Sequence, residues 1–403
     1  MDLVGAGACM RIRVEVPDDS LFGLDNLPYG VFAPPGGDFR VGVRVDERVL
    51  DLATMLGDPV LARGELNAFL AAGPGKWREV RERAQTLLAG EVVDTALYPI
   101  EQVRMALPVR IGDYVDFYAS IDHATNLGKL LRPGSDPLLP NWRHLPVGYH
   151  GRAGTVVVSG TEIVRPRGQH RATGTDSPTF SPTERLDIEA ELGFVIGTGS
   201  ALGSPLGTAD FADHVFGVAL VNDWSARDIQ AWEYQPLGPF LGKSFATSIS
   251  AWVTPLEALA AARIPLPPQY PEPLSYLREH DDWGLDIDLC VQWNSQVVSR
   301  PPYSRMYWSP AQMLAHLTAN GASVRTGDLY ASGTVSGPEP DERGSFIELT
   351  WGGAEPITVL DSERTFLVDG DAVTITASAP GPGGGRVGLG EVHGSIMPAL
   401  RNW

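Results

Sequence analysis

Residues 186–197, L-D-I-E-A-E-L-G-F-V-I-G, set two glutamates, Glu189 and Glu191, two positions apart in an otherwise apolar run. Successive side chains of a strand point to opposite faces, so residues i and i+2 share one face. The apolar flanks predict burial, and two carboxylates buried side by side need a cation or a shared proton. A solvated strand face is the bland alternative. Two further acids stand out by context: Asp116 in D-F-Y-A-S-I-D-H-A-T-N-L-G-K-L-L-R (116–132) and Asp223 in N-D-W-S-A-R-D-I-Q-A-W-E-Y (222–234). Four oxygen donors of this kind suit magnesium, calcium or manganese rather than zinc. Spacing alone leaves buried, hydrogen-bonded acids equally open.

The rest of the chain reads as short alternating runs separated by turns, and its 45 Gly and 33 Pro supply those turns. A mainly β (α+β) fold is expected. Residues 11–16 alternate as a strand, and 40–52 as a hairpin about a D-E turn. Residues 76–88 have helical composition and end at Gly90, a candidate C′ glycine. This first region carries little clustered polar chemistry and reads as a small β-rich domain, residues 1–108, with a larger domain over 109–403. Within the second, 155–160, 186–197, 217–221, 285–293, 324–337, 345–351 and 372–377 read as strands with tight turns. Ser309-Pro310-Ala311-Gln312 opens a helix with a capping box that ends near Asn320-Gly321. Residues 255–273 read as a proline-rich surface connection. The 116–132 segment reads as an irregular loop because Ser, Thr, Asn and Gly space its Asp116, Tyr118, His123 and Arg132. Loops held by a rigid scaffold concentrate catalytic groups, although a His near an Asp is more often a structural pair. After Asp223, Ser225 is a candidate cap for a short helix presenting Arg227, Gln230 and Tyr234 on one face.

Several functions are excluded or disfavoured. A net charge of −18 argues against nucleic acid. No apolar run approaches the ~20 residues of a membrane span. G-P-F-L-G-K-S (238–244) is one residue short of a phosphate loop, and Pro239 removes a donor. G-L-G-E-V-H-G (388–394) has the wrong glycine spacing for a dinucleotide site. The start, M-D-L-V-G-A-G-A-C-M, lacks a basic leader region, and Met10 is a candidate functional start. Cys9 and Cys290 form neither a disulfide framework nor a C-x-x-C site, which fits a reducing cytoplasm. Trp224, Trp232 and Phe240 are expected in the core. His144, His150, His214, His280, His316 and His393 are expected to be structural, and Arg152 to pair with an acid.

Long uninterrupted strings carry a more specific signal. D-F-Y-A-S-x-x-H-A-T-N, N-W-x-H-L-P-V-G-Y-H-G-R, N-D-W-S-A-R-D-I-Q-x-W-E-Y-x-P-L-G-P-F-L-G-K-S-F and S-G-T-V-S-G-P-E-P closely resemble the fumarylacetoacetate hydrolase family, from about Asp113 to the C-terminus. The resemblance implies a small SH3-like N-terminal β-barrel domain, a larger mixed β-roll, and a homodimer. It implies hydrolysis of a carbon–carbon bond in a 1,3-diketo acid to fumarate and acetoacetate, the last step of tyrosine and phenylalanine breakdown. It puts calcium on Asp116, Glu189, Glu191 and Asp223, and magnesium on Asp223, Lys243, Ala246 and Thr247. His123 with Glu348 would activate water, and Arg227, Gln230 and Lys243 would stabilise negative charge. Substrate contacts fall on Tyr118, Arg132, Tyr149, Gln230, Tyr234 and Thr334. Two positions depart from the family pattern: Ala246 replaces the usual Gly, and Asp122 replaces Gln or His. A relative acting on another 1,3-diketo acid, as hydrolase, decarboxylase or isomerase, and a non-catalytic metal-binding scaffold are the competing readings.

Overall fold

The computed structural model describes residues 10–171, 174–279 and 281–401. Cys9 and the question of Met1 against Met10 therefore fall at or beyond its first described residue, and His280 lies outside it. The architecture is mainly sheet, as expected. Its centre is a 13-stranded sheet that runs through Leu97–Pro99, Arg48–Asp51, Arg40–Val45, Tyr29–Ala33, Trp252–Pro255, Val215–Asp223, Ala190–Ile196, Leu329–Ala331, Tyr114–Phe117 and Gly148–His150. Arg104–Ala106 pairs with Tyr29–Ala33, and Val156–Val158 attaches through Thr247–Ile249. A second, five-stranded sheet contains Asp288–Trp293, Ala372–Pro380 and Arg386–Met397.

The hairpin at 40–51 forms as the alternation predicts, with Asp46 in the left-handed region (φ 50°) that a short polar side chain tolerates. Val31, Val43, Leu50 and Phe69 pack in one fully buried cluster with Trp77 and Val80 of the helix Pro74–Ala89. Each such burial is worth about 1.5–3 kcal/mol. That cluster also takes in Val195, Phe216 and Val253, so the first 108 residues share their core with the rest of the chain. The ladder is continuous too, with Gly30 opposite Trp252 and Tyr29 opposite Val253. In the middle of the sheet, every residue of Ala190–Ile196 and of Val215–Asp223 is buried, which is why these strands read as unbroken apolar runs rather than alternating ones.

Several local expectations are corrected. Residues Ile121–Leu131 form a helix, not a loop: Ser120 Oγ accepts the His123 N–H, and His123, Ala124, Leu127 and Gly128 face inward. The strand expected at 345–351 contains a short helix instead, Phe346–Leu349. Ser225 does not cap Arg227–Glu233; its hydroxyl donates to the Asp223 carbonyl instead. Gly90 ends its helix with φ −102°, outside the left-handed region of a C′ glycine. The 11–16 strand is only two residues long, Arg11–Ile12. The connection after Pro255 buries Ala258, Leu259 and Ala262 in 3₁₀ turns. Trp224 is core, but Trp232 and Phe240 are 38% and 57% exposed, each with a guanidinium, Arg171 and Arg152, over its ring. Arg152 thus meets an aromatic face where an acid was expected. The capping box at Ser309 and the helix Pro310–Thr318 form as predicted.

Candidate active site

Sheet register brings the four acids to one place. Asp116 sits on Tyr114–Phe117 opposite Ala331, Glu191 near the start of Ala190–Ile196, and Asp223 at the end of Val215–Asp223. Glu189 lies two residues before Glu191 and points the same way. One oxygen from each of the four falls within 4.8 Å of the others, and all four are buried. Two cations meet this group on one side. Arg227 Nη1 donates to Glu189 at 2.8 Å; Lys243 Nζ donates to Glu189 and, at 2.8 Å, to Asp223. Thr247 and Tyr149 hydroxyls also donate to Asp223, at 2.7 and 3.1 Å. Burial would raise the Glu189 carboxyl, but Lys243 and Arg227 outweigh it and hold the group well below the carboxylate range.

The other side has no such partners. Asp116 Oδ1 and both oxygens of Glu191 are buried without a hydrogen bond. Burial, then the facing acids, push both carboxyls far above their ordinary values. As two acceptors they can bond only through a shared proton or a cation. Orphaned buried oxygens on an all-oxygen donor set fit a hard divalent ion. The set Asp223, Lys243, Ala246 and Thr247 shows no orphaned carboxylate oxygen of this kind. Ala246 there is buried and lies outside the left-handed region, so alanine sits at this position without backbone strain.

His123 lies beside the cluster. Its Nδ1 is 2.6 Å from Glu348 Oε2, and its Nε2 is 3.9 Å from Glu189 Oε1. Glu348 is fully buried and saturated: Ser336 and Ser345 hydroxyls donate to Oε2 at 3.0 and 2.7 Å, and the Asn126 amide to Oε1 at 3.0 Å. Burial raises this carboxyl, but the His123 charge and these donors reverse the effect and leave it lowered. An ionised Glu348 accepting Nδ1–H assigns the lone pair to Nε2, which faces the acids. Tyr118 packs edge-on to the His123 ring, 5.3 Å between centroids.

Arg227, Gln230 and Tyr234 line one small cavity with Leu127, Leu131 and Ile347. Arg227 uses Nε on Asp187 (2.7 Å) and Nη1 on Glu189 and Gln230, which leaves Nη2 buried without a partner. Arg132 donates through Nη2 to the Pro137 carbonyl, while its Nε is buried and unpartnered; Thr334 Oγ1 is likewise unpartnered. The structure therefore assembles His123, Glu348, Glu189, Asp223, Arg227, Gln230 and Lys243 in direct contact. Asp122 is half-buried with Oδ2 unpartnered, its carboxyl raised by burial against the opposing charge of Arg305. In the glycine-rich 238–244 segment, Glu233 Oε1 accepts the amides of Phe240 and Gly242, so those donors face an acid rather than a phosphate.

Sequence reasoning missed Asp187, Asn126, Ser336, Ser345 and Tyr114. Asp187 was within reach: it continues the period-two row 187, 189, 191 by one step. Tyr114, whose hydroxyl is buried and unpartnered, is influenced most by Asp223 after burial itself. Nothing local marks the two serines as partners of a glutamate.

Residues 114–396 match the family described as fumarylacetoacetate (FAA) hydrolase C-terminal, and 25–108 the one described as fumarylacetoacetase N-terminal. A fumarylacetoacetase of Rattus norvegicus is 44% identical over 96% of this chain and 99% of its own length; that of Homo sapiens is 43% identical over the same shares. A Dictyostelium discoideum fumarylacetoacetase is 44% identical over 97% and 98%. Among solved structures, a fumarylacetoacetate hydrolase of Exiguobacterium antarcticum superimposes with TM-score 0.57 at 17% identity, covering 92% of this chain and 99% of that one. A maleylpyruvate hydrolase from Sphingobium sp. does so with TM-score 0.54 at 16%, over 93% and 100%; both likenesses concern the fold alone. With both halves matched and near-full-length identity above two-fifths, the chain belongs to the fumarylacetoacetate hydrolase family.

Proposed function

We propose that the chain is a fumarylacetoacetase, which hydrolyses the carbon–carbon bond of 4-fumarylacetoacetate to fumarate and acetoacetate. The supporting observation is the His123–Glu348 pair set against four buried acids, in a chain this similar to fumarylacetoacetases along its whole length. A divalent ion held by Asp116, Glu189, Glu191 and Asp223, calcium, magnesium or manganese, would polarise the diketo oxygens. His123 Nε2 takes a proton from water, whose oxygen adds to the carbonyl carbon on the fumaryl side. The carbon–carbon bond then breaks, and its electron pair leaves as the enolate of acetoacetate. That carbon recovers a proton from His123.

Arg227 and Lys243 are the donors that would meet the negative charge that develops. Arg227 has Nη2 free, and Lys243, with three N–H groups and two acids, has one. Loss of one such donor typically costs ~10²–10³ in rate. Gln230 holds Arg227 through its carbonyl oxygen. Arg132 Nε is suited to a substrate carboxylate, with Tyr118, Tyr149, Tyr234 and Thr334 as further contacts. The same reading takes residues 1–108 and 109–403 as the two domains, a homodimer as the assembly, the cytoplasm as the location, and tyrosine breakdown as the pathway.

The test is the loss of ultraviolet absorbance from fumarylacetoacetate with chelator-stripped protein, before and after calcium, magnesium or manganese is added. Ion-dependent loss with fumarate and acetoacetate as products is the expected result. His123→Ala should then be folded and inactive. Absence of turnover with every ion would sink this reading in favour of a different 1,3-diketo acid.

A further inference from the structure

We propose that Asp187 is the positioning residue that fixes Arg227 and Glu348 relative to each other. The inference rests on the function proposed above. Asp187 is completely buried, and four donors converge on its carboxylate. Arg227 Nε reaches Oδ2 at 2.7 Å and the Ile347 amide reaches it at 3.0 Å; the amides of Phe346 and Ile188 both reach Oδ1 at 2.7 Å. One side chain therefore ties three segments together: its own strand, the helix Arg227–Glu233, and the short helix Phe346–Leu349 that carries Glu348.

Each tie sets an angle the site needs. With Nε on Asp187 and Nη1 on Glu189 and Gln230, the guanidinium plane cannot roll, and Nη2 is the donor left over. On the other side, the first two amides of Phe346–Leu349 are the groups that four residues of helix cannot satisfy internally. Asp187 satisfies both, and the helix holds Glu348 one residue beyond Ile347, at 2.6 Å from His123. The group that would bind developing charge and the group that would orient the base thus share one anchor, although 121 positions separate Arg227 from Glu348 in the chain. Asp187 bonds to none of the three orphaned oxygens of the acid cluster, so its task is separable from ion binding.

An asparagine at 187 keeps the volume but replaces one acceptor oxygen by an N–H donor, which must then face either the Arg227 Nε–H and the Ile347 amide or the amides of Phe346 and Ile188. Misplacing a catalytic group by about 1 Å costs about 10²-fold in rate. Asp187→Asn is therefore expected to lower kcat on fumarylacetoacetate about 100-fold, with KM and calcium affinity within about threefold of wild type. In an Arg227→Lys background the further loss from D187N should shrink to about tenfold or less, because one of its two targets is already gone. Should D187N be recovered misfolded, Asp187→Glu keeps the charge and displaces it by one methylene, and the same split of kcat from KM is expected. A folded D187N or D187E with wild-type kcat overturns the proposal, as does a D187N loss that is undiminished in the R227K background. A wild-type protein that fails to cleave the substrate shows itself before any variant is compared, and defeats the functional reading instead.

Discussion

Replacing Glu191 by Gln should stabilise the ion-free protein and destabilise the ion-loaded one relative to wild type. Glu191 shares its 4.8 Å neighbourhood with Asp116, Glu189 and Asp223 and has no partner for either oxygen. Two unit charges at that distance repel by about 3.5 kcal/mol at an effective dielectric of about 20. The pair relieves part of this by taking up a proton, so about 1–3 kcal/mol is the expected gain for a neutral side chain of the same shape. Unfolding entropy of about 2.1 cal/mol/K per residue gives about 0.85 kcal/mol/K for this chain, hence a rise in Tm of about 1–4 °C in chelator. Saturating ion reverses the order, since about 1,000 Kd of ligand stabilises wild type by about 4.1 kcal/mol and E191Q loses most of that. The pH sign follows from the raised carboxyls. An acid raised by folding holds its proton more tightly in the native state, so ion-free wild type loses stability as pH rises from its unfolded value through the raised one. E191Q should show a shallower slope. Calorimetric melts at pH 6 and 8, in chelator and in millimolar calcium, decide the matter. A variant that melts below wild type in chelator, or a wild-type Tm indifferent to ion, refutes the reasoning.

Glu348→Gln should lower kcat by about 10²–10⁴ while leaving the melt within a few degrees of wild type, because the amide oxygen can still accept from Ser345 and Ser336; unchanged kcat would remove Glu348 from the mechanism. Glu279, half-buried and accepting from Ser309 at 2.6 Å, has its carboxyl pushed up to about 7 by burial first. Its contribution is full below about pH 4.5 and is lost as pH rises through about 7, so Glu279→Gln should be more stable than wild type by about 2 kcal/mol at about pH 8 and equal at about pH 4, as denaturant melts would show. Gly128→Ala should cost about 1–3 kcal/mol and displace His123, since a Cβ there would fall 2.0 Å from the Pro137 carbonyl oxygen; a wild-type melt and rate together would show that the Ile121–Leu131 helix has room to shift.

What could be seen in the residues beforehand depended on how far the deciding contact lay along the chain. The cap at Ser309 and the hairpin at 40–51 are settled within a few positions, and both form as their patterns predict. The pair Glu189 and Glu191 announces a shared strand face, although only the neighbouring strands show that Asp116 and Asp223 join it. The helix Ile121–Leu131 was hidden by its own spacers. Gly128 weakens helical propensity locally, yet it is the residue that lets the helix approach Pro137, a benefit absent from local preference. Phe346–Leu349 was hidden more completely. Its amides are satisfied by Asp187, some 160 positions earlier, and F-I-E-L by itself favours a strand. Exposure of Trp232 and Phe240 was equally illegible, since an aromatic residue beside an apolar run reads as core until a guanidinium is found lying on it.

The ladder between Tyr29–Ala33 and Trp252–Pro255 bears on how this chain can be cut and recombined. A polypeptide beginning near residue 109 would leave the Trp252–Val253 edge unpaired along an open margin, above a patch of Phe216, Val195 and Ile249 stripped of its cover. Such a piece, made alone, would seek any strand available and precipitate. Produced together in one cell, fragments 10–108 and 109–401 should instead find each other and rebuild the whole, so the margin would serve as a reporter: restored turnover from two separately encoded halves would read out whether they had met.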